Sequence, residues 1–150
     1  MCEKQKNTFS ELVEVIEKLR KQCPWDSVQT HESLKYFLRS ETEEVVEGID
    51  ILSSCGSGEN LCEELGDLLM LIILNSIIAE EEGLFTIEDV IAGVSAKMKY
   101  RHPKIFSPED QEAVQLTWDE LKIREKSLRK KQEKSMEKLD KNSYCERSGQ

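Results

Sequence analysis

Residues 31–52 read HESLKYFLRSETEEVVEGIDIL, and the fold turns on how this stretch is wound. At about 100° per residue, the turn of an α-helix, Leu34, Phe37, Leu38, Val45, Gly48, Ile49 and Leu52 gather within roughly 60° of one line. The stripe is apolar with one kind of exception. Glu41 falls in its middle and Glu44, one turn on, at its edge, whereas Glu43 and Glu47 project to the opposite side.

The flanking sequence repeats this helical pattern. Ser53, Ser54, Gly56, Ser57 and Gly58 form a break, after which Asn60, with Glu63 in the reciprocal position, is the predicted cap of a helix reaching Glu82 and stopped by Gly83. Leu61, Leu65, Leu68, Leu71 and Ile72 share one face of it; Glu64 lies within that face, Asp67 flanks it and Glu63 points away. Upstream, Thr8 and Glu11 make a capping box for Phe9, Leu12, Val13, Ile16 and Leu19, and the helix ends near Lys21. Pro24 makes Gln22 to Thr30 a non-helical connection. Downstream, Thr86 and Asp89 open a fourth helix that His102 and Pro103 close. A loop from Lys104 to Pro108 leads to a last helical stretch around Val114 to Ile123. With 7 Gly, 3 Pro and no alternating runs of strand length, the predicted fold is all-α: a four-helix core bundle with a further C-terminal helix and a charged tail.

The chain has 150 residues and a formal charge of −9, room for one domain and the wrong sign for coating a nucleic acid polymer. Residues 124–141 carry eight basic and four acidic side chains and read as a partly helical or disordered tail, which leaves −13 on residues 1–123, the predicted domain. The apolar run Leu68 to Ala79 is short of the roughly 20 residues a membrane span needs, so no membrane is expected. Met1 to Thr8 lacks the apolar core of a secretory signal. Cys2, Cys23, Cys55, Cys62 and Cys145 are odd in number and form no C-x-x-C pair, which fits reduced thiols in the cytoplasm.

Four inward carboxylates, Glu41, Glu44, Glu64 and Asp67, need positive charge, because an unpaired buried acid costs several kcal/mol or takes up a proton. Internal salt bridges are one answer. The other is a divalent cation on an all-oxygen donor set, which selects Mg²⁺ or Mn²⁺ over zinc. A di-iron bundle would need Glu-x-x-His, but Val28 and Lys99 stand three residues before His31 and His102. Mg²⁺ on few carboxylates takes phosphate oxygens as further ligands, so a phosphate ester or anhydride is the matching substrate. On the fourth helix Ile87, Val90, Ile91, Val94 and Met98 form the apolar stripe. Lys97 and Arg101 fall on or beside it, either as phosphate clamps or as ion-pair partners of the acids.

These residues resemble the MazG family of nucleoside triphosphate pyrophosphohydrolases, a branch of the all-α nucleotide pyrophosphatases. The family signature is Glu-Glu-x-x-Glu, a spacer, then Glu-x-x-Asp. Here Ser40, Glu41 and Glu44 precede Glu64 and Asp67. CPWD at 23–26, QTHESL at 29–34, GDLL at 66–69, EEG at 81–83, Lys97, RHPKIF at 101–106 and Trp118 match in order, over about residues 9–125. The resemblance implies that Glu41, Glu44, Glu64 and Asp67 bind Mg²⁺. It also implies that a triphosphate is cut between its α and β phosphates by a metal-activated water, with Lys97 and Arg101 stabilising phosphate charge. Ser40 departs from the signature, and its hydroxyl is no carboxylate base at neutral pH.

Trp25 and Trp118 either stack on the nucleobase or pack structurally. His31 reads as a helix N-terminal residue and His102 as part of the turn before Pro103. The nearly all-round apolar run Leu68 to Ala79 exceeds what four short helices cover, which predicts a homodimer or dimer of dimers. The alternative to an enzyme is a non-catalytic helical bundle that binds nucleotide or a protein partner.

Overall fold

Thr8 opens α1 (Phe9–Gln22) through the expected capping box, its hydroxyl accepting from the Glu11 N–H while the Glu11 carboxylate accepts from the Thr8 N–H. The computed structural model describes residues 8–131; residues 1–7 and 132–150, with Cys2, Cys145 and most of the basic tail, lie outside the described residues. A short 3-10 turn at Asp26–Val28 precedes α2 (His31–Cys55), which starts from a second reciprocal cap between Thr30 and Ser33. Next come α3 (Glu59–Glu81), α4 (Ile87–Arg101), α5 (Pro103–Phe106), α6 (Gln111–Gln115) and helical residues 118–131, so the described chain is all-α. Among the described residues no helix is long and apolar enough to cross a membrane.

Several helix ends differ from the sequence reading, each for a local reason. α2 runs past Leu52 to Cys55 because the Ser53 and Ser54 hydroxyls bond back to the carbonyls of Ile49 and Ile51, at 2.8 and 3.1 Å. The stop is Gly56, whose φ of +74° suits only glycine at low cost. Asn60 does not cap α3. Gly58 holds that position without a side-chain bond, and the Asn60 amide donates instead to Glu64 Oε1 at 2.9 Å, a charge-assisted bond within the first turns. The expected loop after Lys104 is the short helix α5, with Pro103 in the first turn where its missing N–H costs nothing. The last helical stretch is broken at Leu116 and Thr117, where Thr117 and Glu120 form a reciprocal cap.

The contacts divide the chain into two compact units, one ending at Val90 and the other beginning at Ile91. In the first, α1 and α2 both pack on α3, around Ile16, Leu34, Leu71, Ile73, Leu74, Ile77, Ile78 and Ile87. Sequence periodicity misplaced the buried face of α3: Leu71 is fully buried, but Leu65 and Ile72 are 49% and 40% exposed. The segment is apolar on all sides after Leu68, so hydrophobicity alone could not choose a face. Packing of two helices on α3 chose the arc through Ile73, Leu74, Ile77 and Ile78. The stripe of α4 is likewise not a buried one. Ile87 joins the core, whereas Val90, Ile91, Val94 and Met98 are exposed. In the second unit α5 packs on α6, with Pro103, Ala113 and Leu121 buried.

Candidate functional site

Glu41 from the middle of α2 and Glu64 and Asp67 from the first turns of α3 each place one carboxylate oxygen within 4.8 Å of the others. Glu41 is half-buried, Glu64 buried and Asp67 exposed, so the group opens to solvent on the Asp67 side. Gly48 lets the two helices meet here. A Cβ on it would lie 3.0 Å from Leu61 Cα and 3.0 Å from Asn60 Oδ1, inside ordinary contact distance. The same Asn60 holds Glu64. Neither residue stood out in the sequence as part of a site, although an Asn four residues before a buried Glu on one helix is a readable signal.

Glu44 stands apart from the three. It is exposed, it is not part of the close oxygen cluster, and its Oε1 accepts from Ser40 Oγ at 3.2 Å. Its charge still acts on the cluster. Burial pushes the carboxyl groups of Glu41 and Glu64 above the ordinary range. Neighbouring charges push in the same direction: Glu44, Asp67 and Glu64 on Glu41, and Glu44, Glu63 and Asp67 on Glu64, with the Asn60 bond opposing for Glu64. Like charges held this close, with oxygen-only donors, fit a hard divalent cation. Oxygens around Mg²⁺ at about 2.1 Å stand roughly 3–4 Å apart, so small side-chain closure from 4.8 Å suffices.

Trp25 reaches the carboxylate helix one turn before Glu41. Its ring meets Phe37 edge-on at 5.2 Å between centroids and remains 41% exposed. The loop carrying it is fixed by Arg20, which no local pattern had marked. Arg20 Nη1 donates to the carbonyls of Asp26 and Gln29 at 2.6 and 3.0 Å. Its Nε and Nη2 pair with the Glu81 carboxylate of α3, the shortest contact being 2.8 Å. Gln29, buried, donates to the Trp25 carbonyl and accepts from Ser33 Oγ. His31 is placed by Asn75, its Nδ1 lying 3.0 Å from Asn75 Oδ1, with Nε2 3.8 Å from Glu82; both contacts tie the start of α2 to the end of α3.

In the second unit Lys97 is half-buried on α4, and Arg101 Nε and Nη2 both meet Glu125 Oε2 at 2.7 Å. The guanidinium carbon lies 5.4 Å from the Trp118 ring centroid, Lys122 Nζ lies 5.7 Å from it, and His102 meets the same ring edge-on at 5.3 Å. A cavity of about 320 Å³ opens here, lined by Arg101, His102, Lys104, Trp118 and Leu121 among others. His102 Nδ1 is 2.7 Å from the Met98 carbonyl, the local turn role its position predicted.

Residues 29–106, just over half of the chain, match the model of the MazG nucleotide pyrophosphohydrolase domain. The chain is 41% identical over 124 residues to the nucleoside triphosphate pyrophosphohydrolase/pyrophosphatase MazG of Thermotoga maritima, covering 81% of this chain and 47% of that protein. It is 32% identical over 127 residues to the nucleoside triphosphate pyrophosphohydrolase of Escherichia coli, with 81% and 47% covered. An uncharacterized Bacillus subtilis protein, YabN, is 41% identical over 124 residues, 79% of this chain and 24% of its own length. The chain thus spans about half or less of these curated relatives. A crystal structure of a mazG-related protein from Thermotoga maritima superposes with a TM-score of 0.59 at 32% identity, covering 75% of this chain and 97% of that one. Matching sequence, the acid-bearing helix pair and the all-α neighbour agree: the chain belongs to the MazG nucleotide pyrophosphohydrolase domain family.

Proposed function

We propose that the chain hydrolyses nucleoside triphosphates to the monophosphate and pyrophosphate, with Mg²⁺ or Mn²⁺ held by Glu41, Glu44, Glu64 and Asp67. The observation that carries this reading is the convergence of three carboxylate oxygens from two helices within 4.8 Å. The names of the relatives support the substrate class.

When bound, the cation would neutralise the triphosphate and make a water nucleophilic at neutral pH. The protein's own groups do the rest. Ser40 is no base, so a carboxylate of the cluster accepts the proton of the attacking water. Lys97 and Arg101 stabilise phosphate charge. Glu125 engages Nε and Nη2 of Arg101, which orients the guanidinium and leaves the Nη1 edge for a phosphate oxygen. Trp25, supported by Phe37, offers its exposed face to a base, and Trp118 is the second aromatic candidate.

The chain itself buries most of Leu68 to Ala79, contrary to the sequence expectation, so support for a homodimer or dimer of dimers comes instead from the exposed Val46 and Ile49 of α2 and Leu65 and Ile72 of α3. A strictly monomeric sedimentation profile at micromolar protein would sink that part. A cytoplasmic setting belongs to the same reading.

Glu41→Ala and Asp67→Ala are each expected to abolish pyrophosphate release from a panel of triphosphates while the helical circular dichroism spectrum persists. Turnover surviving both changes removes the assigned site. Calorimetry with Mg²⁺ and a non-hydrolysable triphosphate, beside the turnover assay, separates the enzyme from a non-catalytic nucleotide-binding bundle, which would bind without turning over.

A further inference from the structure

Ser40 stands one helical turn before Glu44, and its hydroxyl does something the other mid-helix hydroxyls of the first unit do not. Thr42, Ser53 and Ser76 donate to the carbonyl four residues earlier, at 2.6, 2.8 and 2.9 Å. Ser40 Oγ donates forward to Glu44 Oε1 at 3.2 Å. We propose that Ser40 is a positioning residue that holds the Glu44 carboxylate in one orientation, with Oε1 occupied and Oε2 turned to the divalent cation or a water bound to it.

The inference rests on the metal-centre reading above. Glu44 is exposed, lies beside the three-oxygen cluster and has three rotatable side-chain bonds, so an unrestrained carboxylate there would lose conformational entropy on joining a cation. A hydroxyl at i−4 removes part of that cost in advance. A carboxylate at position 40 would have the opposite effect, because like charges at i and i+4 repel. Replacing the signature's first Glu by Ser thus exchanges a repulsive neighbour of Glu44 for a tether.

The test is Mn²⁺ binding to nucleotide-free full-length protein, read from the free Mn²⁺ electron paramagnetic resonance signal, with thermal unfolding measured in parallel. Ser40→Ala is expected to weaken Mn²⁺ binding roughly three- to tenfold, the scale of one ordinary net hydrogen bond, as suits an exposed contact of 3.2 Å. Its thermal midpoint should not fall, since Ala is the better helix former. Ser40→Thr, which keeps the hydroxyl, should restore affinity to within about twofold on the same scale. In a Glu44→Gln background Ser40→Ala should add nothing further. Unchanged affinity in Ser40→Ala, an equal loss in Ser40→Thr, or a full additional loss in the Glu44→Gln background overturns the inference. Glu64→Gln separates this from a failure of the metal centre itself. If it binds Mn²⁺ as tightly as the wild type, the centre is misassigned; if it loses binding while Ser40→Ala does not, only the role of Ser40 falls.

Discussion

Gly48→Ala probes the helix contact that assembles the candidate site, and the structure fixes both sign and scale. The new methyl would sit 3.0 Å from Leu61 Cα, 3.2 Å from Leu61 N and 3.0 Å from Asn60 Oδ1. Two of these three neighbours are backbone, so relief requires α3 to move away from α2 by several tenths of an ångström. Overpacking of this kind costs about 1–3 kcal/mol, while exchanging Gly for Ala in a helix interior returns about 1 kcal/mol. The expected net is a loss of about 1 kcal/mol, or roughly 2–4 °C in the thermal midpoint for a chain of this length. Gly66→Ala is the internal control. Gly66 is also within a helix, but nothing lies within 4 Å of its built Cβ, so only the propensity gain of about 1 kcal/mol remains and the midpoint should rise. Both are read by circular dichroism melting of metal-free protein. Because the displaced Asn60 holds Glu64, Gly48→Ala should also weaken Mn²⁺ binding more than a core change of equal destabilisation, such as Ile73→Val. If Gly48→Ala gains stability as Gly66→Ala does, the contact is looser than described and the reasoning fails.

Arg20→Ala removes the two carbonyl contacts and the Glu81 pair together, and a loss of about 2–3 kcal/mol is expected, with Trp25 fluorescence shifting to the red as its loop loosens. An unshifted spectrum in the folded variant would separate the loop from Arg20. Trp25→Ala is expected to raise KM by roughly five- to a hundredfold with kcat retained, as for loss of base stacking that is equal in ground and transition states; a fall in kcat alone contradicts that role. The pH dependence of metal-free stability follows from carboxylates displaced in opposite directions. Glu41 and Glu64 titrate above the ordinary value near 4.5, so the folded state binds more protons than the unfolded one just above that value, and stability declines as pH rises through this window. Glu81, pulled down by the Arg20 hydrogen bond, contributes stability present above the ordinary value and lost below it. Melting of metal-free protein should therefore peak in mild acid, and saturating Mg²⁺ should flatten the decline towards neutrality. A midpoint that climbs steadily to pH 7 without metal would contradict the cluster's electrostatics.

The parts of the fold written in short-range pattern were legible. The Thr8 and Glu11 box, the stop at Gly83 and the Thr86 and Asp89 start all rest on residues within four positions of each other. Of the four acids that the stripes placed inward, Glu41, Glu64 and Asp67 come together, whereas Glu44, at the stripe's edge, is exposed and outside the close group. Where two local rules competed, the sequence could not decide. Asn60 is a good cap, yet also a good i, i+4 partner for a buried carboxylate, and the second role won. The core face of α3 was lost for the opposite reason, an excess of apolar residues that made every face equivalent until α1 and α2 packed on one of them. Arg20 and Glu81 are 61 positions apart, and no local rule joins them.

The electrostatics of the helix pair tie its stability to its chemistry. Glu41 and Glu64 are desolvated among like charges, and that strain is borne by the same α2 and α3 contact that Gly48 and Asn60 define. A cation that binds only the folded arrangement must return stability in proportion to RT ln(1 + [M]/Kd), about 2.7 kcal/mol at one hundred times Kd. Affinity and stability are therefore two readings of one quantity here. A substitution that opens the helix contact should weaken cation binding even without touching a ligand. One that removes a ligand charge, such as Glu64→Gln, should stabilise the metal-free fold at neutral pH while abolishing its response to Mg²⁺. The second outcome is the more demanding, because it needs both halves at once: the gain reports the like charges crowded around Glu64, and the lost response to Mg²⁺ reports that the same carboxylate takes part in holding the cation.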